Sequence, residues 1–207
     1  MPEAAGNVLA TRVAFLELQD ERRLVQEGYA LLDEKRMMLA TEILKQLRIH
    51  SELDKRIQGH SQHAREALEA AVGEHGFDDL TVEPPCPLES ALIQREGWRF
   101  LGLELQTAEL GRGAVEPWAP SLNPTPESRD CAEAFRDLVI DHTAAASCAR
   151  NLRLLTDDYV RTERRARALE KVLMPEIDES LQFIEEQLDA LDQEEALRVR
   201  MASQSAD

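Results

Sequence analysis

Residues 161–191 read RTERRARALEKVLMPEIDESLQFIEEQLDAL, and this stretch decides the fold. Its apolar residues are Leu169, Val172, Leu173, Ile177, Leu181, Ile184, Leu188 and Leu191. From Leu169 one row steps by three or four, the spacing of a stripe down one face of a helix. From Ile177 to Leu191 the steps alternate four and three, which is a heptad seam and requires a partner helix. Charge is polarised along the same stretch. Arg161, Arg164, Arg165, Arg167 and Lys171 crowd its first half. From Met174 to Ala196 there are nine Asp or Glu and no Lys or Arg.

Working outward, the seam finds its partner near the N-terminus. Leu18, Val25, Leu32, Leu39 and Leu53 share one seven-residue row, interrupted by Gln46, and Leu24, Leu31 and Met38 form a neighbouring row. Two adjacent rows predict a broad stripe facing another helix. Asn7 or Thr11 can cap the start of this helix, because either side chain accepts a free first-turn N–H. Gly28 and Gly59 lie inside it, as tolerated flexibility or as a point of close helix approach. Gly73 and Gly76 suit its end.

The middle of the chain differs in kind. It holds Pro84, Pro85, Pro87, Pro117, Pro120 and Pro124 together with both tryptophans. SALIQREGWRFLGLEL predicts a β-hairpin over about 88–106, turning near Arg95-Glu96-Gly97, from its β-prone content and partial alternation. Residues 111–125 read as Gly- and Pro-rich loop. Thr125-Pro126-Glu127 then announces a second helix, with a capping Thr, Pro at the first helical position and an acid in the first turn. Pro175 should kink that helix locally.

The expected fold is therefore all-α dominated: a long antiparallel two-helix coiled coil with a small β-hairpin insert. Its parts are a lead (1–7), a long helix (8–76), the insert (77–125), a second long helix (126–200) and a frayed tail (201–207). A helix of about sixty residues spans roughly 90 Å. Nothing else in the chain is large enough to cover such stripes, so they pair with each other antiparallel or with a second molecule; pairing within the chain follows if the insert acts as a turn. Pairing Val72 with Cys131 sets Thr11 beside about Asp192, with the insert at the opposite end.

Composition agrees. Charged residues make up 31% and aromatic residues 4% of the 207. The formal charge of −16 argues against a nucleic-acid partner. It is unevenly spread: residues 1–72 carry ten basic and twelve acidic groups, whereas 73–130 carry four and eleven. Cys86, Cys131 and Cys148 show no paired spacing and read as free thiols of a cytosolic protein. No apolar run spans a membrane and no signal peptide is expected, so membrane association would come through partners.

Signatures of chemistry are missing. There is no phosphate-binding G-x-x-x-x-G-K-[ST] loop. His60 and His63, three apart and without an adjacent ligand set, read as surface residues rather than a metal pair. The acidic run lacks the Gly and alternating ligands of a calcium loop. No catalytic, cofactor or metal residue is expected. Trp98 and Phe100, with Leu103 beside them, are either the insert's small core or an exposed docking surface. The basic cluster is either a solvated face or a collar meeting acidic groups of another protein.

Several motifs together resemble a known family. They are Ala10-Thr11-Arg12 followed by Leu16 and Leu18; Gly28 with Leu31, Leu32, Lys35 and Arg36; and Arg164-Arg165, Ala168-Leu169-Glu170, Val172-Leu173 and Pro175. This set is similar to the D subunit of the V-type (A/V-type) ATPases and ATP synthases, the central rotor shaft. WRFLGLEL stands where that family has its insert strand. Arg167 departs from the family's usual Asn, Met37-Met38 from its Asp-Glu, and the tail is short. The resemblance implies a shaft inside a ring of catalytic A and B subunits, bound below by the small F subunit and seated on the C/d subunit above the membrane rotor ring. Its rotation would couple ATP turnover to ion movement, without catalysis by the shaft itself, at a cytoplasmic site peripheral to the membrane. Forty-odd residues of insert are too few for the α/β domain of the F-type gamma subunit. The competing readings are a generic coiled-coil adaptor or a prefoldin-like chaperone.

Overall fold

The structure, a computed structural model, describes residues 10–80, 93–110 and 125–204. The elements in order are α1 (Arg12–Leu80), β1 (Ile93–Phe100), β2 (Leu103–Leu110), α2 (Pro126–Ala168), a π-helical turn (Leu169–Leu173) and α3 (Met174–Gln204). The loop expected over 111–125, apart from Thr125, and the end of the tail lie outside the described residues, as do Asn7 and Cys86.

Both long helices start on the caps their residues offer. The backbone N–H of Ala14 donates to Thr11 Oγ1 at 3.1 Å, which leaves Thr11 as the cap of α1. At α2 the cap is reciprocal. Ser128 N–H donates to Thr125 Oγ1 at 3.2 Å, and Thr125 N–H donates to Ser128 Oγ at 3.3 Å, so a serine fills the place a glutamate takes in the usual capping box. Gly76 has φ 74 and ψ 163, outside the helical region, within the last turns of α1.

Two compact units make up the chain, and each is built on an antiparallel helix pair. The first joins residues 1–38 to 159–207. Here Arg12 meets Asp192 at 3.2 Å, Arg22 meets Asp178 at 2.6 Å and Arg36 meets Glu163 at 2.6 Å. Partners on α2 and α3 fall in number as those on α1 rise, which is the expected antiparallel pairing, with its end beside Asp192. Val25, Ala166, Ile177 and Ile184 are buried between them, and Leu18, Leu32, Leu181 and Leu188 are half-buried. Leu191 is 54% exposed, so the buried seam ends at Leu188 among the described residues.

The second row of α1 does not face a helix. Leu24, Leu31 and Met38 are 69%, 67% and 43% exposed. A two-helix pair offers one groove, and the row of Val25 fills it; the neighbouring row is left outside. Next to Pro175, where a kink is expected, the helix departs from α geometry. Met174 N–H donates to Leu169 O, an i→i−5 bond, so a π turn precedes the proline. Widening the helix there lets the chain pass a residue that can neither donate to the carbonyl four residues back nor sit easily against it.

The second unit is residues 39–158. Its helix pair is packed through small residues: Ala64, Ala67 and Ala134 form a buried cluster with Cys131 against it, and Ala71 is also buried. Leu39 and Leu155 are fully buried. Small side chains let two backbones approach closely. Counting only large apolar residues hid this part of the seam.

The hairpin sits further along than expected. β1 and β2 pair antiparallel from Ile93 with Leu110 to Phe100 with Leu103. The turn is Leu101-Gly102, and Arg95-Glu96-Gly97 lies within β1. Leu101 has φ 49 and Gly102 φ 87. Two consecutive residues with positive φ make the tight hairpin turn whose twist matches the strands. Gly102, rather than Gly97, meets that demand.

Two glycines of α1 should respond oppositely to substitution. A Cβ at Gly59 would meet nothing within 4 Å, so Gly59→Ala should raise stability by up to about 1 kcal/mol. Gly76→Ala should lower it by about 1 kcal/mol, because the added Cβ is strained at positive φ. Thermal unfolding followed by circular dichroism measures both.

Candidate functional site

In the second unit, two side chains of α2 bond the backbone of the hairpin. Asn151, 1% exposed, donates from Nδ2 to Gln106 O at 2.7 Å and accepts from Gln106 N–H at its Oδ1 at 3.0 Å. The amide thus acts as a strand partner, satisfying both backbone groups of Gln106 on β2. Arg150 adds a bond to Glu104 O at 3.2 Å. Beneath, Leu105, Ala108 and Leu110 of β2 are buried. The hairpin's core therefore comes from β2. Trp98 is 38% exposed, and Phe100 and Leu103 are half-buried at the turn end.

A cavity of about 480 Å³ opens between the hairpin and the helix pair, lined among others by Ile49, Arg56, Trp98, Leu110 and Cys148. Gln46, which broke the apolar row, is buried there. The Cys148 thiol donates to Gln46 O at 3.4 Å, and Gln46 Nε2 donates to Glu42 at 2.9 Å. The interruption is a satisfied polar contact across the seam. Burial pushes the Cys148 thiol above its ordinary range. Burial, with help from Asp130, does the same at Cys131, so neither is an activated nucleophile.

Asp141 is the buried charge of this unit, with a side chain 4% exposed. Arg56 donates to its Oδ1, and His60 Nδ1 lies 2.8 Å from its Oδ2. The approach is close but not aligned as a hydrogen bond, and both atoms are buried without a hydrogen-bond partner among the described residues. His63 Nε2 stands 3.7 Å from Asp130. Both histidines, expected to be plain surface residues, thus reach carboxylates of α2, one each. Among the described residues no three His, Cys, Asp or Glu gather as metal ligands.

In the first unit, Arg161, Arg164, Arg165, Arg167 and Lys171 are all exposed. Arg167 pairs with Glu163 at 2.6 Å. Glu163 also holds Arg36, and the hydrogen bond from Arg36, then that from Arg167, lowers its pKa below the ordinary glutamate range. The other four cations have no ion pair among the described residues. The cluster surrounds an Arg36–Glu163–Arg167 brace while leaving most of its charge unpaired.

Sequence reasoning missed Asn151 and Asp141. Each sits among apolar residues at helical spacing, Asn151 between Cys148 and Leu155 and Asp141 between Leu138 and Ala145. A polar residue on an apolar face, needing a partner, was the available signal.

Among known proteins, a family model described as the D subunit of ATP synthase matches residues 14–204. The A-type ATP synthase D subunit of Methanoregula boonei is 25% identical over 200 residues, covering 95% of this chain and 96% of that protein. The Methanopyrus kandleri protein of the same name is 27% identical over 203 residues, 96% and 86% of the two chains. The V-type ATP synthase "D 2" subunit of Treponema pallidum is 30% identical over 193 residues, 86% and 85%.

Asn151→Ala should loosen the hairpin while sparing the helices. It strands a buried N–H and C=O, each costing about 1–3 kcal/mol. Limited proteolysis should cut within 93–110 faster in the variant, with helical dichroism unchanged at 25 °C. Acid should weaken the brace at Glu163. Its pKa is lowered in the folded chain, so its contribution is present above the ordinary glutamate value and is lost as pH falls through the folded one. Unfolding midpoints across acidic pH should therefore fall less steeply for Glu163→Gln than for the parent.

Proposed function

The chain belongs to the ATP synthase D-subunit family, and on that premise we propose how its helix pairs work in a rotary complex. It is a central-stalk subunit of an A/V-type ATP synthase and is not a catalytic subunit. Other subunits of the complex are its partners, and no helix among the described residues is long and apolar enough to cross a membrane. The observation that carries the finer reading is the exposed collar. Arg161, Arg164, Arg165 and Lys171 project from the helix pair without ion pairs among the described residues.

In this reading the collar meets acidic groups of the surrounding catalytic A and B subunits. Exposed ion pairs are worth about 0.2–1 kcal/mol each. Contacts of that size break and re-form as a shaft turns, whereas deep apolar contacts would lock it. The outward row Leu24, Leu31 and Met38 gives the same helix pair a second, apolar face. A shaft with unlike faces offers each surrounding subunit a different contact at one moment, which is what three-fold alternation requires. Trp98, Phe100 and Leu103 at the hairpin form the docking patch for the small F subunit, and the hairpin end seats on the C/d subunit. The complex works on the cytoplasmic side of the membrane. An adaptor or prefoldin-like chaperone is not favoured, since the family match runs over nearly the whole chain.

Reversing Arg164 and Arg165 to Glu should leave the melting temperature of the isolated chain almost unchanged and lower coupled turnover in the assembled complex. The defect should shrink at high salt, because screening weakens both the native attraction and the new repulsion. Unchanged turnover at low salt would reduce the collar to a solvated face. Phe100→Ala should weaken co-purification with the F subunit while circular dichroism stays helical; collapse of the helical signal would make Phe100 part of the fold instead.

A further inference from the structure

The inward positions leading into α3 fall in two heptad frames that do not match. Up to and including the π turn they are Tyr159, Thr162, Ala166, Leu169 and Leu173, in steps of three and four, with Tyr159, Leu169 and Leu173 half-buried. Thr162 and Ala166 are buried, at 3% and 1% exposure. After the turn they are Ile177, Leu181, Ile184 and Leu188. Continued past Leu173, the first frame would place Glu176, Ser180, Phe183 and Gln187 in the seam. Instead Glu176 and Gln187 are exposed and Phe183 is 47% exposed. The second frame is the first displaced by one residue.

An α-helix carries its side chains round by about 100° per residue. A displacement of one residue in a regular helix would therefore turn Ile177 and Ile184 away from α1 and bring a polar row inward. Both isoleucines are nevertheless buried, at 4% and 0% exposure. The π turn supplies the difference, because it takes one more residue into a turn than an α-helix does. The Met174-to-Leu169 bond marks its place.

We propose that Leu169–Leu173 is a register-shifting joint: a one-residue insertion in the coiled coil, absorbed by the π turn, with Pro175 fixing where it forms. Pro175 removes the donor that a regular helix would aim at Lys171, so the wider turn is held next to it and does not migrate along the helix. No residue of the turn is buried, and Val172 is 52% exposed. Across the groove stands Gly28, whose absent Cβ would lie 3.8 Å from Leu169 Cδ1. With an uneven ladder and no buried side chain, this segment is where the helix yields first. The inference stands on burial and backbone bonding in the first unit and does not depend on the rotor reading.

Deleting Val172 tests it directly. Met174 then takes the place of Leu173, and Thr162, Ala166, Leu169, Met174, Ile177, Leu181, Ile184 and Leu188 fall into one unbroken frame. The deletion is made in the full chain together with Pro175→Ala, and Pro175→Ala alone serves as reference. Inserting one Ala after Val172 on the same background doubles the mismatch. The deletion variant should melt within about 3 °C of the reference or above it, and the insertion variant at least about 5 °C below. Equal harm from deletion and insertion would overturn the proposal, and so would equal tolerance, which marks a merely loose segment. Hydrogen exchange gives a second readout. Amides of 170–174 should exchange faster than those of 163–167 in the parent and slow down in the deletion variant. Equal protection of the two segments in the parent would also overturn it.

Discussion

The structure depends on a seam one groove wide. In the first unit no third element among the described residues covers the flanks of the helix pair, so stability is spread along the length of the pair. Among the described residues of the first unit the buried apolar side chains are few: Val25, Ala166, Ile177 and Ile184. So thin a core cannot fix register by apolar burial alone, because one aliphatic side chain serves nearly as well as its neighbour. Register is marked instead by cross-helix charges, Arg12 with Asp192, Arg22 with Asp178 and Arg36 with Glu163. Exposed pairs of this kind contribute little energy, yet a slipped alignment would lose all of them together.

In the second unit the constraint is met differently. Ala64, Ala67, Ala71 and Ala134 replace the aliphatic row, and polar groups occupy part of the seam. Gln46 is met by Cys148 and Glu42, and Asp141 by Arg56, with the His60 ring close to its second oxygen. Buried polar groups of this kind are costly when mispaired, so they discriminate between alignments better than alanines can. The hairpin is then attached through Asn151, whose amide fits only the backbone of an extended strand.

The heptad rows of Leu18, Val25, Leu32 and Leu39 and of Ile177 to Leu188 were legible in the sequence, because large apolar residues at regular spacing have few other uses. The caps at Thr11 and Thr125 were legible for the same local reason. The outward facing of Leu24, Leu31 and Met38 was not, since an apolar row does not say whether its partner belongs to the same chain. The hairpin turn was misplaced because Gly97 and Gly102 look alike until pairing fixes which needs positive φ. The collar of Arg161, Arg164, Arg165, Arg167 and Lys171 could be read as a cluster. Its division into the braced Arg167 and four cations without an ion pair among the described residues shows only once the helices are paired.

The one-sided attachment of the hairpin bears on how the chain behaves in concentrated solution. Asn151 and the helix pair take up β2, while β1 shows seven of its eight residues to solvent. Such an edge invites a second chain to add a strand. Here Arg95, Glu96 and Arg99 stand along it, so copies brought edge to edge would have to desolvate charge at several steps of the ladder. With a formal charge of −16, long-range repulsion between copies adds to that local obstacle. Salt screens the repulsion but leaves the desolvation cost in place, so raised ionic strength removes the long-range barrier between copies and leaves the charged edge as the local one.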